Sequence, residues 1–243
     1  MPPETQTSNL SNPRVPDDID LIIFDCDGVL IDSEIVSARV LIKALDRLGV
    51  SVDFGYFKAN FLGRSFAKVA ASIRTDFCVE LPETFEADYR STLLQQFDRQ
   101  LQPVSGIQSV LDRLSVKSCV ATSSSPERAT RSLRVAGLTS YFGEAVFTAS
   151  EVRNGKPAPD LFLHAAGTMN CAPDRCLVIE DSRPGLQAAR AAGMEVLHFI
   201  GGSHLSIDDT PAAGIEPPVP FFETWASFFD IAPQLTKRRQ PTD

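Results

Sequence analysis

Hydrophobic positions follow two different periods along this chain. Four consecutive apolar residues, Leu21-Ile22-Ile23-Phe24, run straight into Asp25-Cys26-Asp27-Gly28. A short apolar run closed by a turn signal predicts a buried strand of a parallel sheet. The period then changes. Ile35, Val36, Val40, Leu41, Ala44, Leu45 and Leu48 recur every three or four residues, the spacing of an amphipathic helix. Asp32 or Ser33 can cap its start, and Gly49 is placed to end it. Helical patterning continues over 64–77, through Phe66, Val69, Ala70 and Ile73, and again over 82–101. Nothing between Ser33 and Leu101 reads as a buried strand. Sheet-like runs resume at 116–122, 145–148, 176–179 and 196–200, with helix-like segments at 127–136, 160–169 and 184–192 between them. This alternation predicts an α/β fold, a Rossmann-like doubly wound parallel sheet, interrupted after its first strand by an all-helical insert. The expected organisation is a disordered lead over 1–18, an α/β core over 19–32 and 102–243, and a helical cap domain over 33–101.

Composition narrows the partners more than the fold. The 243 residues are 43% hydrophobic and 22% charged, an ordinary globular balance. The net charge of −8 argues against nucleic acid or an anionic membrane as partner. An anionic ligand must therefore find local lysines and arginines. Cys26, Cys78, Cys119, Cys171 and Cys176 are odd in number and lack the paired spacing of a zinc site, so the chain reads as reduced and cytoplasmic. No apolar run approaches membrane-spanning length, and the first eighteen residues lack an apolar secretory core. Beyond the termini and the proline-containing stretch 211–220 no repeat or low-complexity tract appears, and Lys237-Arg238-Arg239 reads as a frayed tail in preference to a binding patch.

Ligands of open parallel sheets bind beyond the carboxyl ends of the strands. Three predicted strands end there in polar groups: Asp25 and Asp27, Ser123 and Ser124, and Glu180 and Asp181. Neighbouring carboxylates repel unless a cation or a shared proton relieves them, and hard oxygen donors suit magnesium; a strand-end turn with solvated acids is the plain alternative for Asp25 and Asp27. A charge pair at a helix start accounts for Glu180-Asp181 equally well. Ser123 and Ser124 can hold phosphate oxygens at a helix N-terminus, and capping by Ser124 or Ser125 is the plainer alternative. Lys156 lies in Asn154-Gly155-Lys156-Pro157-Ala158-Pro159, a loop stiffened by two prolines, where an ammonium can offset a carboxylate and a phosphoryl group.

In order and spacing, Asp25-Cys26-Asp27-Gly28-Val29-Leu30, Ser123, Lys156 and Glu180-Asp181 resemble the four motifs of the haloacid dehalogenase (HAD) superfamily. The similarity runs over about residues 20–200, and the insert occupies the place of that family's helical cap. The resemblance implies that Asp25 is a nucleophile and Asp27 a general acid/base. It implies that Ser123, Ser124 and Lys156 bind phosphate. It further implies Mg2+ held by Asp25, the Asp27 carbonyl, Asp181 and Glu180, the last directly or through water. The activity implied is magnesium-dependent hydrolysis of a small phosphorylated metabolite, a sugar phosphate or phosphorylated sugar acid, through an aspartyl-phosphate. Gly63-Arg64-Ser65 resembles the cap's specificity loop, where Arg64 can meet a second anionic group; an exposed arginine at a helix start is the bland alternative. Dehalogenation is disfavoured by Asp27, which dehalogenases of the family lack. A sugar phosphomutase uses the same motifs, but Ser37 stands where the β-phosphoglucomutase type has a histidine. A non-catalytic sugar-phosphate-binding protein need not keep both Asp25 and Asp27. His164, His198 and His204 lie far from every motif in sequence and receive no role. The two links between cap and core, near Asp32–Ser33 and 101–104, are expected to act as hinges.

Overall fold

The computed structural model describes residues 15–205, 212 and 214–237. The expectations for 1–14, for positions 211 and 213 and for Arg238-Arg239 lie outside the described residues. Val15, at the end of the expected lead, is buried, and the side chain of Gln234 donates to the carbonyls of Val15 and Pro16.

The chain begins with β1 (Leu21–Phe24) and then leaves the sheet for four helices: α1 (Glu34–Asp46), α2 (Phe54–Asn60), α3 (Phe66–Phe77) and α4 (Phe85–Gln100). It returns through α5 (Ile107–Arg113) and β2 (Lys117–Thr122), followed by α6 (Pro126–Val135), α7 (Thr139–Phe142) and β3 (Val146–Thr148). Then come α8 (Asp160–Thr168), β4 (Cys176–Glu180), α9 (Arg183–Ala191), β5 (Glu195–Phe199), β6 (Phe221–Phe222) and α10 (Phe228–Ile231). The strands form one sheet in the order β3-β2-β1-β4-β5-β6, every pair parallel. The fold is thus the doubly wound sheet with an inserted helical cap that the sequence predicts.

Period-two geometry divides the core. Ile22 and Phe24 of β1 join Ile107, Val110 and Leu133 on one face, whereas Leu21 and Ile23 join Leu161, Phe162 and Leu186 on the other. The helical insert has its own apolar cluster of Leu41, Leu45, Phe57, Phe61, Val69 and Ile73. The two links between insert and sheet run side by side: Asp32 N–H donates to the Gln102 carbonyl at 3.0 Å and Val104 N–H to Leu30 at 2.9 Å.

Neither β6 nor α10 was legible in the pattern, because each is very short and owes its place to tertiary contacts. Trp225, fully buried, stacks on Phe199 at 4.8 Å and tilts against Phe24 at 5.8 Å. Its Nε1–H donates to the Val29 carbonyl at 3.2 Å. This C-terminal aromatic group therefore supports, from below, the loop that follows β1. Among the described residues, no helix is long and apolar enough to cross a membrane.

Candidate active site

Strand order decides which side chains meet. β1 lies between β2 and β4, so the residues at those three carboxyl ends share one cleft. Asp25 follows β1 and its N–H is fixed by the Ile179 carbonyl at 2.9 Å. Glu180 ends β4 and Asp181 follows it; both are buried. The loop before α8 carries Lys156 across the sheet end. There its ammonium donates to Asp25 Oδ1 at 2.5 Å, to Glu180 Oε1 at 2.7 Å and to the Ala121 carbonyl at 3.0 Å. These three acceptors come from three adjacent strand tips, which is why a lysine 131 residues from Asp25 reaches it.

Glu180 is engaged at both oxygens. While Oε1 accepts from Lys156, Oε2 accepts from the N–H groups of Asp181 and Ser182 and from Ser182 Oγ. Such contacts fix the carboxylate as a clamp for Lys156 and for the first turn of α9. A Cβ on Gly185 would strike the Glu180 carboxyl, so only glycine lets that turn pack so closely. A direct metal contact through Glu180 would have to share Oε1 with Lys156, because Oε2 already accepts three bonds.

The carboxyl of Asp27 is also engaged at both oxygens, from a different direction. Ser33 Oγ donates to Oδ1 at 2.5 Å, Ser124 Oγ to Oδ2 at 2.7 Å, and Arg128 Nη2 to Oδ1 at 2.6 Å. Ser33 stands at the N-cap position of α1 but makes no side-chain cap bond; its hydroxyl serves Asp27 instead, correcting the capping role expected for it. Nor does Asp32 cap α1: its Oδ1 accepts from the Ser203 N–H and Oγ. Among the three serines at the start of α6, Ser125 is the cap, accepting from Arg128 N–H at 3.4 Å, Ser124 binds Asp27, and Ser123 is exposed on the pocket wall.

Asp25, Asp27, Ser123, Ser124, Lys156, Glu180 and Asp181 line one cavity of about 190 Å³ between sheet and insert, together with Gly63, Arg64 and Ser65. The structure thus brings together every site residue named from the sequence. Arg64 and Ser65 are exposed, and the loop carrying them rests on the core, since a Cβ on Gly63 would meet Ser182 Cβ at 3.1 Å.

Other lining groups escaped the sequence reading. Glu34, Ser37, Tyr89, Arg90 and Arg128 reach the same cavity. Arg128 had one legible signal: a cation in the first turn of a helix opposes the dipole and asks for another reason. His204 had none. It is buried, with Nε2 3.0 Å from Asp181 Oδ2, yet it sits on a loop after β5 with no telling spacing. Gly28 completes that corner. Its φ is +86°, and a Cβ there would collide with the Asp181 carboxyl and the His204 ring.

Electrostatically the site is short of positive charge. Burial pushes the Asp25 carboxyl well up; Lys156 opposes the rise, while Glu180 and Asp181 add to it. Burial and the Glu180 charge also raise Asp181. Burial disfavours the Lys156 ammonium, but Asp25 and Glu180 more than offset this and hold it charged. Asp27 goes the other way: burial is outweighed by Arg128 and by the Ser33 and Ser124 hydrogen bonds, so its carboxyl is held low. Burial, with the Asp27 charge adding, pushes Glu34 up to about 7. Among the described residues, no three His, Cys, Asp or Glu side chains cage a metal by themselves. Asp25 and Asp181 remain as two under-compensated carboxylates on one cavity wall. That donor set fits a small divalent ion that keeps waters and shares a ligand's oxygens, better than a fully protein-made cage.

A model described as haloacid dehalogenase-like hydrolase matches residues 19–193. The chain is 29% identical over 188 residues to 6-phosphogluconate phosphatase of Escherichia coli (strain K12), covering 76% of this chain and 85% of that protein. It is 34% identical to the fructose-1-phosphate phosphatase YqaB of the same organism, over 72% of this chain and 94% of that one. A solved structure of a HAD family hydrolase from Deinococcus radiodurans R1, with bound phosphate and sodium, superposes with a TM-score of 0.74 at 29% identity. It covers 92% of this chain and 100% of that chain.

Proposed function

The chain belongs to the haloacid dehalogenase-like hydrolases and is a phosphatase of that family; on that footing we propose that it cleaves a small sugar phosphate or phosphorylated sugar acid through a covalent aspartyl-phosphate on Asp25. The observation that carries this reading is the buried Lys156 ammonium bridging Asp25 and Glu180 at 2.5 and 2.7 Å in the wall of the cavity. It orients a buried carboxylate for attack and leaves a positive group where phosphate oxygens must sit.

In the first half, a carboxylate oxygen of Asp25 forms a bond to phosphorus, the ester P–O bond breaks, and Asp27 gives a proton to the departing alkoxide. Arrival of a phosphate dianion beside Asp27 favours the protonated form that this half requires. In the second half a water attacks phosphorus, yields its proton to Asp27, and frees inorganic phosphate with Asp25 restored. Ser123 and the start of α6 receive phosphate oxygens. Asp25, Asp181 and the Asp27 carbonyl would hold Mg2+, with Glu180 positioning Lys156 beside them. The ion, when bound, supplies neutralising charge to the phosphoryl oxygens.

Arg64, Ser65 and Arg90 from the insert face the part of the substrate beyond the phosphate, which favours a substrate with a second anionic group or several hydroxyls. Named relatives that act on 6-phosphogluconate and fructose 1-phosphate support this class. The site supports the mutase reading less, because Ser37 places a hydroxyl bonded to Arg128 at 3.2 Å where the β-phosphoglucomutase type has a basic histidine ring. We place the protein in the reducing cytoplasm, consistent with five cysteines that form no disulfide. The side-by-side links at 30–32 and 102–104 are proposed as the hinge of the cap. A screen of phosphorylated metabolites with and without magnesium, reading phosphate release, tests the proposal. Isomerised sugar phosphate without phosphate release would replace it with the mutase.

A further inference from the structure

Arg128 is a cation of the cavity that the proposed chemistry leaves without a task. It is the third residue of α6, after the cap Ser125. A cation there opposes the helix dipole, so it does not serve the helix. Its Nε is buried with no hydrogen-bond partner, an uncompensated cost that stability alone does not explain. What it does have is Asp27: Nη2 lies 2.6 Å from Oδ1. Its other neighbours belong to the insert. The same Nη2 lies 3.2 Å from Ser37 Oγ on α1, and the guanidinium carbon sits 5.2 Å over the Phe97 ring of α4.

We propose that Arg128 is the positioning residue of Asp27, turning its carboxyl toward the leaving-group oxygen from a placement that helices α1 and α4 of the cap determine. The two hydroxyls that also bind Asp27 can rotate, whereas a guanidinium is planar and presents its donors in a fixed fork. The ring face of Phe97 and the hydroxyl of Ser37 set the plane of that fork. Asp27 therefore points correctly only when cap and core are in register. The inference rests on the hydrolase reading, and deepens it by tying proton transfer to the cap.

The test compares two esters. An aryl ester such as p-nitrophenyl phosphate releases a leaving group that departs without a proton; a hexose 6-phosphate does not. For Arg128→Ala, kcat/KM should fall about tenfold more for the hexose phosphate than for the aryl ester, a fraction of what general acid catalysis supplies. Arg128→Lys should recover part of the difference, and added guanidinium ion should restore the alkyl rate of Arg128→Ala selectively. Equal losses on both esters, or no loss, would overturn the positioning role and leave Arg128 a structural residue. Should Arg128→Ala not fold, the same ratio measured in Arg128→Lys decides. Absence of turnover on both esters by the unaltered enzyme would instead strike the hydrolase reading itself.

Discussion

The two walls of the cavity are built on different terms. On the core wall Asp25, Lys156, Glu180 and Asp181 are each less than one-tenth exposed and are held by short contacts to one another, to the backbone or to His204. On the cap wall Arg64 and Ser65 are exposed on a loop between two helices. The difference fits the tasks proposed for the two walls. Like charges in a dry place must have every contact settled in advance, or the acids simply take up protons. Groups that choose among substrates must instead be available for the ligand to match. On the proposed function, fixed geometry serves the chemistry and adjustable geometry serves selection.

Breaking the core wall should therefore cost both fold and activity. Lys156→Met leaves Asp25 and Glu180 buried without a counter-charge, and about 3–5 kcal/mol of stability should be lost, read by denaturant unfolding. Activity should fall by roughly 10³-fold or more, since the group that faces both the proposed nucleophile and the proposed phosphate position is gone. Asp27→Asn keeps the shape but not the proton. Hexose phosphate turnover should drop about 10²- to 10⁴-fold, with a smaller change in thermal stability than Lys156→Met. Gly28→Ala drives a methyl group into Asp181 and His204 at a positive φ, and should lower stability by about 1–3 kcal/mol; calorimetry checks it.

The cap wall should respond in KM. Arg64→Ala should raise KM for a substrate with a second anionic group by about tenfold, with kcat changed much less. A change in kcat of the same size would place Arg64 in the chemistry and erase the contrast between the walls. The smallest expected effect is a pH dependence. Glu34, pushed up to about 7 by burial and by Asp27, is neutral below that value. A raised folded pKa gives stability that is complete below the ordinary glutamate value and lost as pH rises through about 7. Above it, a new negative charge also opposes the phosphate dianion, so kcat/KM should decline. Glu34→Gln should flatten the stability profile between about pH 4.5 and 7 and the activity profile around about pH 7.

Much of the core wall could be read from the chain because its chemistry is written locally. Apolar runs end abruptly in Asp25, Ser123 and Glu180, and strand alternation says that those ends converge. The roles within the cluster were less legible. Spacing shows that Glu180 is near, but not that both its oxygens are taken by Lys156 and by backbone N–H groups. Ser33 looks like a helix cap, and a tertiary acceptor, Asp27, wins the competition for its hydroxyl. His204 reaches Asp181 from a loop after β5, and Trp225 reaches Val29 from 196 residues away in the chain, where no periodicity connects either to the residues it supports. Arg128 falls between these cases, visible only as a cation in a place a helix does not want one.

The covalent intermediate is the claim on which the remainder stands, and it can be trapped. Enzyme mixed with magnesium and substrate, quenched in acid within the first turnover and digested, should yield one phosphorylated peptide, the one containing Asp25. Asp25→Asn should yield none and should not turn over. Label on any other residue, or an Asp25→Asn variant with the activity of the unaltered enzyme, would contradict the account.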